Sequence, residues 1–80
     1  SRRVETDTYP VLIESGAYLI GGLLHARPGD DPADRLAHGD PMVPLTDAWL
    51  EHPWGERSRR DRRTTIIVNR REVSDFRILG

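Results

Sequence analysis

Apolar residues along this chain come in short runs set between polar and turn-forming stretches, and their spacing follows strands more than helices. Residues 6–13 are rich in Thr, Tyr, Val, Leu and Ile, side chains that fit a pleated, half-buried surface. Glu14, Ser15 and Gly16 signal a turn, and residues 17–26 form a second apolar run, so the two segments predict a hairpin. Gly21 and Gly22 interrupt that second run. Paired glycines inside a strand pattern predict a bulge or a sharp bend, of the kind a small barrel needs at its corners. Arg27, Pro28 and Gly29 end the strand.

A short helix follows. Asp31 suits the N-cap, Pro32 the first helical position and Gly39 the residue past the end. Leu36 is its strong apolar anchor, which predicts a helix lying across one end of a sheet. Residues 42–51 read as a third strand, with Val43, Leu45 and Trp49 on one face at period two. Asp47 interrupts that face and predicts a bulge or an exposed end. Pro44 cannot donate to a ladder, which predicts an edge or a bulge there. Residues 52–62 read as a polar loop. Residues 63–69 form the fourth strand, whose Ile66-Ile67-Val68 run is the most β-branched of the chain and predicts a central position. Residues 69–72 make a tight turn into a last strand at 73–79. Five antiparallel strands in so short a chain bury one face by curling. The expected architecture is mostly β: a five-stranded antiparallel small barrel, SH3-like or Sm-like, with one short helix, residues 1–80 forming a single domain.

Composition narrows the options. Hydrophobic residues make up 36% and charged residues 31% of the chain. A domain this small buries about 60–65% of its unfolded surface. The core is therefore thin, with little material left to wall a deep substrate pocket. The chain has no cysteine, which excludes disulfides and thiolate chemistry. Small domains without such staples often draw stability from partner subunits, so self-association is expected. No apolar run approaches the roughly 20 residues that span a bilayer, and no secretory h-region is visible. The expected compartment is cytoplasmic, with no membrane partner.

Net charge is −1, but its distribution is uneven. Residues 29–40 carry Asp30, Asp31, Asp34 and Asp40 against Arg35. Residues 57–63 carry Arg57, Arg59, Arg60, Arg62 and Arg63 against Asp61. All basic residues are arginine, which reflects either gene composition or selection for guanidinium chemistry.

No residue set suggests catalysis. His25, His38 and His52 lie on separate elements, with no metal-ligand spacing. Ser15, Ser58 and Ser74 sit in turns or loops, outside any nucleophile elbow. The acidic segment lacks the alternation of a calcium loop, and its carboxylates suit the start of a helix. Gly21-Gly22 precedes no helix and so forms no phosphate loop. These readings predict no catalytic residue, no metal site, no cofactor and no enzyme activity. The 57–63 run is the strongest binding feature, because arginine forks suit carboxylates and phosphates. Trp54 lies upstream and could stack on a base. The competing reading is a solvated hairpin loop whose charges keep an edge soluble, and Trp49 and Trp54, as large aromatics in a small domain, read as core more than as platform.

The stretch Ile66-Ile67-Val68-Asn69-Arg70-Arg71-Glu72-Val73-Ser74 resembles the end of an Sm-like small barrel. In that family, which includes the bacterial host-factor RNA chaperones and the archaeal Sm-like proteins, the penultimate strand passes through a one-turn 3₁₀ segment into the last. The resemblance implies that Arg70 and Arg71 lie near bound RNA. Residues 17–23 are similar to the family's second strand, which bends at a small residue. The family begins with a helix, whereas this chain reads as beginning with a strand. The hairpin, the acidic segment before Leu36, the run from Met42 to Ala48 and the closing turn also look similar to short bacterial domains of unknown function. The expected role is a non-enzymatic binding or assembly module acting through protein–protein contacts, with a homo-oligomer as one form. The alternative is RNA or DNA binding through the 57–63 loop, with Arg70 and Arg71 contributing. A net negative charge favours the first.

Overall fold

The computed structural model describes residues 6–52 and 60–80. Five antiparallel strands form one sheet with one short helix, so the mostly β architecture stands. The strands are β1 (Asp7–Ser15), β2 (Tyr18–Ala26), β3 (Met42–Glu51), β4 (Arg60–Asn69) and β5 (Val73–Ile78). Their order in the sheet is β4-β3-β2-β1-β5, and the ladder is open, with β4 and β5 as its two edges.

β1 and β2 pair in unbroken register from Asp7↔Ala26 to Ser15↔Tyr18. The turn between them turns on Gly16, whose φ of 57° lies in the left-handed region that glycine enters without strain. Between β2 and β3 the register shifts by one residue, between Gly21 and Leu23. The extra residue lies on β3, where Asp47 takes a φ of 45°. Gly21-Gly22 and Asp47 thus face one another across a single bulge. Pro44 lies on an interior strand, but the β2 ladder stops at Leu24↔Leu45, so β3 is paired there with β4 alone.

The helix α1 (Pro32–Ala37) has Asp31 as its N-cap, with Oδ1 accepting from the Ala33 amide at 3.0 Å, and Pro32 in the first turn. It packs on β2 and β5 and lowers Leu36 into the core. A one-turn 3₁₀ segment, Arg70–Glu72, joins β4 to β5. Asn69 caps it by accepting from the Arg71 amide at 3.1 Å. Two hydroxyls fasten this corner to β1: Ser15 donates to the Glu72 carbonyl and Ser74 to the Glu14 carbonyl.

The core among the described residues is Val11 and Ile13 of β1, Ile20, Leu24 and Ala26 of β2, Leu36, Val43, Leu45 and Ala48 of β3, and Val68 of β4. Each apolar run contributes alternate members and leaves the others outside, as the strand pleat requires. The buried set on β3 jumps from odd positions, Val43 and Leu45, to an even one, Ala48, across the Asp47 bulge. Trp49 therefore leaves the face it shares with Val43 and Leu45 in the period-two pattern. The Ile66-Ile67-Val68 strand is an edge and not central. Its β-branched residues fit a half-buried pleat, and that preference does not require pairing on both sides. Ile67 is left 63% exposed.

Candidate functional site

The β3–β4 hairpin carries the described arginines of the basic run. β4 begins at Arg60, so Arg60 and Arg62 join Arg63 on the strand and do not belong to the 52–62 loop the sequence suggests. Their register is fixed by β3: Arg60 faces Glu51, Arg62 faces Trp49 and Arg63 faces Ala48. Arg57, Arg59 and Trp54 lie outside the described residues.

Trp49 organises this end of the hairpin. It sits directly across from Gly21 of β2, and its indole lies against that glycine so closely that any Cβ would collide with the ring. Gly21 is buried as a result. The Arg60 guanidinium lies over the same indole, 4.0 Å from the ring centroid, in a cation–π contact. One of its nitrogens also approaches Glu51 Oε2 at 3.4 Å. Trp49 is thus held between a backbone and a guanidinium. Beside it opens a shallow cleft of about 620 Å³ lined by Asp47, Ala48, Trp49, Arg60, Arg62, Arg63 and Thr64. Three arginines to one aspartate give it a positive balance. Arg63 donates to the Arg62 carbonyl at 2.9 Å, and Arg62 has no ion pair among the described residues.

Arg70 and Arg71 lie elsewhere. They follow Asn69, which pairs with Met42, whereas Arg60 pairs with Glu51 at the far end of the same ladder. At about 3.3 Å per residue the two groups stand roughly 25–30 Å apart along β4. Arg70 turns toward α1 and donates to the carbonyls of Ala37 at 3.1 Å and Gly39 at 3.1 Å. Its amide donates to the Pro41 carbonyl at 2.7 Å. It therefore satisfies carbonyls that the end of α1 leaves without partners. Arg35 acts similarly, donating to the carbonyls of Asp40 and Met42. Arg71 is exposed.

The acidic residues gather at the α1 end. Asp30, Asp31 and Asp34 are exposed around the start of the helix, and Asp34 meets His38 at 3.0 Å. Asp40 Oδ1 accepts from the Met42 amide at 2.9 Å. His25 is half-buried, its ring nitrogens 2.6 Å from the Thr46 hydroxyl and 3.2 Å from the Thr6 hydroxyl. These contacts tie β2 to β3 and to the chain before β1.

Pattern reading treats Trp49 as core. The cue to its real position is the pair Gly21-Gly22 combined with Asp47: a side chain that needs a glycine beneath it, and a bulge that turns it outward. Comparison with protein-family models, with curated proteins and with solved structures finds no match to this chain.

Proposed function

We propose that this chain is a non-enzymatic binding and assembly module that works through protein–protein contacts, with self-association as its simplest form. The observation that carries this reading is the placement of charge along β3. The exposed carboxylates of Asp30, Asp31 and Asp34 lie at the Met42 end, and the arginine cleft lies at the Glu51 end. Five to seven residue steps separate Met42 from the cleft residues Asp47 and Trp49, about 16–23 Å of strand. The molecule is correspondingly long, 48 × 23 × 21 Å, with a radius of gyration of 13.0 Å, against about 11.6 Å for a compact chain of this length. Charges that far apart are screened from one another within a chain but can meet between chains. The exposed Ile67 adds apolar surface that favours association. Light scattering at high protein concentration and low salt tests the reading. A mass that is a multiple of one chain, falling as salt rises, is expected, and a mass of one chain under those conditions refutes it.

A small barrel, SH3-like or Sm-like, is the closed form we propose for this sheet. The strand order, the bulge at Gly21-Gly22 and the 3₁₀ corner before β5 support it.

One observation favours a second reading, nucleic-acid binding: Arg62 and Arg63 are exposed beside an aromatic ring. It is the weaker one, because Gly21 and Arg60 already lie against that ring. On the face under Arg60, a base stacks only if Arg60 moves. Absence of any mobility shift with a labelled RNA or DNA pool at low salt excludes it.

A further inference from the structure

We infer that the Trp49–Arg60–Arg62 cleft is the seat for the acidic start of α1 in a second copy of this chain. The inference rests on the assembly reading and names the two surfaces that meet.

The cleft is suited to carboxylates. Arg60 is held flat on the Trp49 indole, and the indole is held on Gly21, so the guanidinium is oriented before any partner arrives. An arginine fixed in this way loses less side-chain freedom on binding than a free one. Arg62 faces Trp49 directly and carries a charge with no ion pair among the described residues. Thr64 adds a hydroxyl on the same wall. Three guanidinium groups and a hydroxyl, set against Asp47 and the Glu51 partner of Arg60, leave the cleft net positive toward an incoming carboxylate.

The occupant is chosen by charge and by reach. Asp30, Asp31 and Asp34 crowd one end of a short helix and are all exposed. Asp31 uses Oδ1 for the Ala33 amide, which leaves its other oxygen for a partner. Arg35 and Arg70 are directed at backbone carbonyls toward the other end of the helix, and Arg27, whose carbonyl accepts from the Asp30 amide at 2.9 Å, sets one positive charge against three aspartates. The start of α1 is therefore negative, and its own cleft begins five residues along β3 from Met42, about 16 Å of strand. Cleft and helix are different patches, so the contact is head to tail. Such contacts build closed rings or open filaments according to the rotation between copies.

The test uses three samples of the full chain. Arg62→Glu spoils the cleft and leaves the helix. Asp30→Ser with Asp34→Ser removes the helix carboxylates and leaves the cleft. All these positions are exposed, and far-UV circular dichroism checks that each variant is folded; Arg62→Gln and Asp30→Asn serve as milder replacements for any that is not. At low salt each variant alone is expected to associate at least about tenfold more weakly than the parent. Mixed in equal amounts, the two should form a one-to-one complex and stop there, because one intact cleft meets one intact helix. If the parent is a single chain at low salt, both the assembly reading and this inference fall. If the parent associates and the variants associate equally well, or their mixture gives no one-to-one complex, this inference alone falls.

Discussion

Replacing Gly21 with alanine tests the packing that builds the cleft. Gly21 takes a backbone conformation open to other residues, so in a strand the change should stabilise by about 0.4–1 kcal/mol through the unfolded chain. The structure argues for the opposite sign, since the new Cβ would enter the Trp49 ring. Overpacking of this kind costs about 1–3 kcal/mol. Lifting the indole also disturbs the Arg60 contact, worth about 0.5–1 kcal/mol at an exposed site. The net loss is about 2 kcal/mol, against a total stability of about 4–12 kcal/mol for a domain of this length. With an unfolding entropy of about 2.1 cal/mol/K per residue, that is a fall of about 12 °C in Tm. Urea unfolding followed by far-UV circular dichroism gives the number. The same change in a Trp49→Ala background should be neutral or stabilising by up to about 1 kcal/mol, giving a coupling of about 2–3 kcal/mol between the two sites. If Gly21→Ala costs nothing in the parent, or costs as much without the indole, the account of Trp49 seated on Gly21 is wrong.

Three other changes probe the frame around the site. Asp47→Gly relieves a φ of 45° in a non-glycine residue and should raise stability by about 1 kcal/mol in thermal unfolding. Arg70→Met removes the donors to Ala37 and Gly39; a loss of about 1–2 kcal/mol and faster hydrogen exchange in α1 are expected, with little rescue by lysine, which lacks the planar fork. Leu45→Ala, at a fully buried position opposite Leu24, should cost about 2–5 kcal/mol by denaturant titration.

Much of this fold is legible locally. The hairpin around Gly16 follows from two apolar runs joined by a turn signal. The start of α1 follows from Asp31 and Pro32, and the third strand from residues 42–51, where expectation and structure coincide. In each case the deciding residues are neighbours along the chain, and their preferences for a pleat, a cap or a positive φ act over a few bonds. The acidic and basic segments are equally plain, since formal charge needs no fold.

What lies between distant segments is another matter. The sheet order makes the β-branched fourth strand an edge, because β1, β2 and β3 pair on both sides and leave it one neighbour. The bulge at Asp47 resets the alternation of β3, so Trp49 turns outward and finds Gly21, a residue 28 positions earlier in the sequence, beneath it. Arg60 reads as part of a charged loop and becomes the guanidinium stacked on that ring. Arg70, which the resemblance places near bound RNA, closes the end of α1. The sequence by itself determined the elements and the sign of each charged segment. Only tertiary structure decided which side chains meet, because a period-two pattern carries no record of its partner strand, and one inserted residue inverts every face beyond it.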